Sequence, residues 1–308
     1  MLKKALLVGI NDYPDADDRL YGCVNDVMAM QEVLAKNFDF STDHIKILLN
    51  REGTKKNIVA GLKWLAQGGS EPAVRVFHYA GHGHPLPDTS GDEKDGQDEA
   101  LAPYDYKPGL NQSFLIDDEL KKLYKLFPAK SNLTLFMDCC HSGTNQRRDL
   151  ARKRTFRSIP LSFEERRAIA QARKKFTEKR NKQIMQKVAA KLRGKKYTKR
   201  NLAGMVREMI QSYEKQPFGG DYNLREGNIL LAACQPNEGA TDTEIGNKSH
   251  GVFTYYLTQI LRETRGQIKY GELIKKVGEA LRDNNFDDQV PQLECNPDRQ
   301  KAKVLGLF

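Results

Sequence analysis

The sequence predicts an α/β fold with a mainly parallel sheet covered by helices on both faces. Three observations carry this. Lys4–Ile10, His44–Leu49, Ala73–Tyr79, Leu133–Met137 and Ile229–Cys234 are short apolar runs of strand length, several rich in Val, Ile and Phe. Segments with helical apolar spacing lie between them. The runs lack the strict apolar/polar alternation of a half-solvated sheet, which points to strands buried on both faces.

In chain order, the first run is read as a buried strand and not a signal peptide, because its apolar stretch ends at Asn11-Asp12 without a small-residue cleavage site. Val24, Val27, Met28, Met30, Val33 and Leu34 then mark a helix; Ile58, Leu62 and Leu65 mark a second; Leu120, Leu123, Tyr124 and Leu126 mark a third. After Gly143 the chain turns polar, with a sparse apolar stripe of Ile169, Ala172, Phe176, Ile184, Val188 and Leu192, consistent with a solvated helix or with disorder until bound. The α/β pattern resumes at Ile229, followed by helices over Val252–Leu261 and Tyr270–Leu281 and an irregular terminal stretch through Gln289–Leu293. No internal repeat is found. The expected organisation is a catalytic region over 1–146, a basic linker over 147–216 and a region over 217–308 that completes the same sheet.

The 308 residues suffice to bury a sizeable core without disulfide or metal staples. No apolar run reaches the about 18 residues that span a bilayer. Five cysteines, at 23, 139, 140, 234 and 295, form no C-x-x-C pair, which suggests thiols used singly in a reducing, cytoplasmic setting. The net charge of +10 is a sum of opposites: Arg147–Arg200 holds 21 Lys/Arg and four Asp/Glu, or +17, leaving −7 on everything else. An acidic domain therefore carries one basic segment. Stacking aromatics are sparse there (Phe156, Phe163, Phe176, Tyr197), which argues against nucleic acid as its partner.

In an open parallel sheet, ligands bind outside the carboxyl ends of the strands. Two unusual segments sit at such ends: His78-Tyr79-Ala80-Gly81-His82-Gly83-His84 and Asp138-Cys139-Cys140-His141-Ser142-Gly143. A thiol near neutral pH needs a base or a positive neighbourhood to become a strong nucleophile, and imidazole is the usual partner. His82 with Cys140 makes a reasonable dyad from adjacent strand ends. Cys139 is an alternative nucleophile, and two inert buried thiols are the plain alternative to both.

The combination of these segments with Asp95-Gly96-Gln97-Asp98-Glu99-Ala100-Leu101-Ala102-Pro103, Ile229-Leu230-Leu231-Ala232-Ala233-Cys234 and Gly251-Val252-Phe253-Thr254-Tyr255-Tyr256 resembles the metacaspases, the caspase-like cysteine peptidases. The likeness covers roughly residues 1–146 and 217–308. It implies a caspase-like fold, Cys140 as nucleophile, His82 as base and proton shuttle, and acyl transfer through a thioester, with backbone N–H groups near Cys140 and Gly83 for the oxyanion. No third residue that would make a triad is evident. It also implies cleavage after Arg or Lys, with Asp26 and Asp138 as the pocket acids and Cys23 and Ala80 beside them; Ala80 stands where the family often has Ser. For Asp26 the alternative is a carboxylate favoured by a helix N-terminus.

The family's Ca²⁺ activation nominates Asp98, Asp117 and Asp118, with Asp95 as a further ligand. Asp117-Asp118 could equally cap a helix, and Asp149 is the nearest carboxylate after the catalytic cysteine. A basic segment in a chain whose pocket takes Arg or Lys is a ready intramolecular substrate, so linker 147–216 is expected to guard the site and be cut on activation. A monomer is expected. The competing reading is a non-catalytic caspase-like scaffold with an anion-binding insert.

Overall fold

A computed structural model describes residues 1–68, 72–89, 93, 95–128, 131–140, 148–149, 154–193, 199–214, 228–235 and 238–307, without the side chains of 148–149, 199–200 and 211–214. The chain divides into two compact units. One comprises Met1–Pro85, Glu99–Leu161 and Leu224–Phe308; the other comprises Leu86–Asp98 and Ser162–Asn223.

The first unit is built on a six-stranded sheet. Its strands are β1 (Leu2–Gly9), β2 (Ile45–Leu49), β3 (Ala73–Ala80), β7 (Ser131–Asp138), β10 (Ile229–Ala232) and β13 (Gln292–Glu294), in the order β13-β10-β7-β3-β1-β2. All neighbours are parallel except β13, which runs antiparallel to β10. Every residue of β3 and β7 is buried, as a strand covered on both faces requires. The covering helices are α1 (Cys23–Phe38), α2 (Lys55–Ala66), α3 (Asp117–Tyr124), α6 (Val252–Glu263) and α7 (Tyr270–Asp283); α8 (Pro297–Gln300) is a final short turn. Short strands β4 (Gly83–Pro87), β5 (Gln97–Leu101) and β6 (Leu115–Ile116) form a second sheet. Strands β8 (Arg148–Asp149), β9 (Arg154–Phe156), β11 (Thr241–Ile245) and β12 (Lys248–Gly251) form a third, in the order β12-β11-β9-β8.

Three expectations need correction. Met28 belongs to the apolar spacing of α1 yet is 49% exposed, because the buried face runs through Val27, Met30, Val33 and Leu34. Leu126 falls beyond the end of α3 and is also exposed. The stretch read as irregular contains β13, too short for its pattern to register, whose ladder to β10 extends the sheet.

The second unit contains α4 (Phe163–Leu192) and α5 (Lys199–Glu214). Ser162 caps α4 and Glu165 reaches back to the Ser162 N–H, a reciprocal capping box. Ile184, Val188 and Leu192, the last part of the sparse stripe, pack against Leu202, Met205, Val206, Met209 and Ile210 of α5. The basic segment is thus helical over most of its described length. Of its described residues, Arg154–Leu161 belong to the first unit.

Candidate active site

Strand register brings the two chemistry-bearing loops together. Gly9 pairs with Ala80, and Ala80 with Asp138, so three parallel strands end level with one another. His82 and Cys140 each follow this line by two residues. Both are buried. The Gly81 N–H donates to the Asp138 carbonyl at 3.4 Å, joining the loops directly.

The His82 ring is held from several sides. Its Nε2 lies 2.7 Å from the carbonyl oxygen of Asp18. A carbonyl only accepts, so Nε2 carries the proton and Nδ1 is the nitrogen able to take one. The Tyr13 ring lies 4.8 Å from the imidazole, and its hydroxyl accepts from the His82 N–H at 2.9 Å. Burial pushes the phenols of Tyr13 and Tyr79 upward, so both remain neutral hydroxyls. A Cβ on Gly81 would lie 2.8 Å from both hydroxyl oxygens, so only glycine fits there. The backbone of Asp18 is the orienting group that the sequence did not disclose, because a carbonyl carries no residue-type signature.

Hydrogen-bonded to the Cys140 N–H through its carbonyl, Arg157 is completely buried among three carboxylates. Its Nη2 is 2.6 Å from Asp26 Oδ2 and 3.0 Å from Asp242 Oδ2, and its Nη1 is 3.1 Å from Asp138 Oδ2. Nε adds a bond to Asp242 Oδ2 at 3.3 Å. The carboxylates are themselves anchored. Asp26 accepts from the Gly251 N–H at 2.9 Å and lies 3.0 Å from His250 Nδ1. Asp138 accepts from the N–H and hydroxyl of Thr254 at 3.1 and 2.5 Å, and Asp242 from the Gly22 N–H at 3.0 Å. Gly251 forms part of the wall: a Cβ there would come within 2.4 Å of Asp138 Oδ2 and 2.5 Å of Arg157 Nη1.

The Arg157 backbone runs past Cys140 and Gly83 in an extended path. Strand β9 pairs antiparallel with β11, Phe156 opposite Thr241 and Thr155 opposite Asp242, and the Arg157 N–H donates to Ala240 at 2.9 Å. The Arg157 carbonyl accepts from the N–H groups of Cys140, at 3.1 Å, and Gly83, at 3.0 Å. These are the donors expected to hold an oxyanion. Past it, Ser158 bridges to Gly83 and the Ile159 N–H donates to the Gly83 carbonyl at 2.9 Å. The Cys140 thiol is directed at the carbonyl of Glu238, to which the Cys234 thiol also points at 3.5 Å.

The other nominated residues fall as follows. Asp26 sits in the first turn of α1, but its carboxylate meets Arg157 and the Gly251 N–H and not its own helix N-terminus. Cys23 is buried one turn earlier, its thiol pushed well up by burial. Ala80 stands beside Asp138 in the β3–β7 register and brings it no polar group. Cys139 is buried too, and the contact of the Cys140 N–H with the Arg157 carbonyl distinguishes its neighbour. Asp242 and Arg157 escaped sequence reading: Asp242 lies in a polar stretch without a motif, and Arg157 is one of 21 basic residues in its segment.

The Ca²⁺ nominees fall in both compact units. Asp117 and Asp118 occupy the first turn of α3, and both approach Lys121 Nζ, at 2.7 and 3.5 Å. Burial pushes the Asp117 carboxyl up. Asp95 binds its own loop through Gln97 and, with Asp98, belongs to the second unit. Among the described residues no three His, Cys, Asp or Glu side chains gather into a metal-holding group. The side chain of Asp149 lies outside the described residues.

A parallel sheet carrying a histidine and a cysteine at neighbouring strand ends is the arrangement of the caspase-like cysteine peptidases, and solved structures agree on the fold. A Geobacter sulfurreducens protein superposes with a TM-score of 0.63 at 21% identity, over 100% of both chains. Caspase-1 from Spodoptera frugiperda gives 0.50 at 12% identity, over 95% of this chain and 86% of that one. Residues 3–147 match the family model described as metacaspase, peptidase C14 domain. Metacaspase-9 of Arabidopsis thaliana is 28% identical over 339 residues, 99% of this chain and 98% of that protein. The chain is thus similar to metacaspases along nearly its whole length, and the family model matches just under half of it.

Proposed function

We propose that the chain cleaves peptide bonds after Arg or Lys through Cys140 and His82, and that its first substrate is its own Arg157–Ser158 bond. The observation that carries this reading is the seating of Arg157. Its side chain fills a pocket of three carboxylates, and its carbonyl accepts from the N–H groups of Cys140 and Gly83. Those donors are best used when the carbonyl oxygen gains charge in the tetrahedral intermediate. The Cys140 thiol, turned from Glu238 and deprotonated by His82 Nδ1, attacks the carbonyl carbon. The C–N bond breaks, the amine of Ser158 leaves with the proton from His82, and water releases the acyl-enzyme. Until then the segment blocks the pocket against other substrates, the condition of a zymogen.

Incubation of the purified chain followed by mass spectrometry tests this. The expected products are residues 1–157 and 158–308, with Cys140→Ala remaining intact. A wild-type chain that hydrolyses an Arg-ending peptide while remaining uncut over 147–215 refutes self-processing. Ca²⁺ as activator rests on the acidic loops alone and requires Asp117 and Asp118 to exchange Lys121 for the ion. Equal rates with Ca²⁺ and with chelator would count against it.

A further inference from the structure

The chain segment lying in the active site reports on more than the arginine pocket. Three residues before Arg157, the Arg154 side chain is 6% exposed although it belongs to a strongly basic stretch. Its Nη1 lies 3.0 and 3.2 Å from the two carboxylate oxygens of Asp288. Its Nη2 donates to the carbonyl of Asn285, and its guanidinium carbon stands 4.4 Å from the centroid of the Phe286 ring. A carboxylate, a carbonyl and an aromatic face on one guanidinium make a recognition site for a planar cation.

The site is built into the framework. Gln289 takes the Thr241 N–H on its Oε1 at 2.9 Å and donates from Nε2 to the Ala233 carbonyl at 3.0 Å. The Val290 N–H donates to Glu238 Oε2 at 2.7 Å. The loop bearing Asn285, Phe286 and Asp288 is therefore tied both to β11, along which β9 lies, and to the end of β10. Between the two arginines, Phe156 lies against Gly239.

We infer that Asp288, the Asn285 carbonyl and the Phe286 ring form a second specificity subsite for a basic side chain three residues before the cleaved arginine, making Arg-x-x-Arg segments the preferred substrates. The inference rests on Arg157 marking the cleaved bond. It extends recognition from one basic residue to a spaced pair, and it selects among the many basic residues of any substrate. Arg over Lys is favoured at this position because the fork engages Asp288 and Asn285 together while its face covers the ring.

The test compares fluorogenic Arg-Thr-Phe-Arg, Ala-Thr-Phe-Arg and Glu-Thr-Phe-Arg peptides on the full chain incubated with Ca²⁺. The first is expected to exceed the second in kcat/KM by about tenfold, the equivalent of ~1.4 kcal/mol. In Asp288→Ala that ratio falls to about one, and in Asp288→Lys the preference passes to the Glu peptide. Equal turnover of the Arg and Ala peptides by the wild-type chain overturns the subsite while leaving the arginine pocket standing. Turnover of none of the three refutes the Arg-directed reading and the subsite with it.

Discussion

A guanidinium without exposed surface survives at Arg157 because Asp26, Asp138 and Asp242 surround it with carboxylates that each also accept from a backbone N–H. Removing one partner of such a cluster leaves charge buried and unanswered, typically at a cost of about 3–5 kcal/mol. Arg157→Ala is therefore expected to lower the thermal midpoint markedly as well as to abolish the cut at 157. Arg157→Lys keeps the cut but slows it, since an ammonium matches a point and not a fork. Asp242→Asn is expected to reduce kcat/KM for Arg-ending peptides by about 10- to 100-fold, as loss of one carboxylate from a buried charge pair does. Burial pushes the Asp138 carboxyl to about 6, with Arg157 pulling it back and Asp26 pushing it up. Only the ionised form attracts a cationic side chain, and with Arg157 out of the pocket its downward pull is lost, so kcat/KM for Arg-ending peptides should fall as the pH drops from neutral toward about 6 and below. A flat profile from pH 7 to below 5 would contradict this role. At this scale His82 and Cys140 stood out in the sequence through residue type and place beside glycines and strand ends, and Asp26 and Asp138 through the resemblance to the metacaspases. Asp242, Arg157 and the Asp18 carbonyl did not, because each owes its role to a contact across the fold.

Among elements, β11 has two tasks. Its Asp242 side chain enters the pocket while its backbone, with Ala240 before it, holds β9 by ladder hydrogen bonds. A substrate bound this way is recognised by main chain as an added strand and by side chain at alternate or spaced positions. The same logic makes Gly251, at the start of α6, a gate on pocket volume. Its φ of −70° suits any residue, so Gly251→Ala should fold, yet its Cβ would enter the space of Asp138 and Arg157. The expected result is an unchanged circular dichroism spectrum with hydrolysis of Arg-ending peptides reduced by at least about tenfold. Long elements were the most legible from sequence: β1, β3, β7, α1 and α7 follow from apolar spacing. The short strands β8, β9, β11, β12 and β13 lack the length for a period to show, and the pairings of β9 with β11 and of β13 with β10 join residues more than 50 positions apart.

For the whole molecule, the position of β10 matters most. It pairs with β7 in the core of the sheet, and β13 follows it, so residues 229–294 complete a sheet begun at Leu2. A cut after Arg157 severs the chain without separating these strands. Fragments 1–157 and 158–308 should therefore elute together under native conditions and part only in denaturant, as analytical size exclusion beside a denaturing gel would show. Separate native elution would mean that the sheet does not survive processing. The charge division has a matching logic: a −7 catalytic part carries a +17 segment, and one arginine of that segment lies in the most acidic cavity described. From sequence alone came the α/β class, the strand ends that carry His82 and Cys140, and the acidic and basic division, since these depend on local periodicity and composition. Which of the basic residues enters the pocket, and which third carboxylate meets it, was decided only by the tertiary structure, because ion pairing across the fold follows strand register and loop closure and not any pattern along the chain.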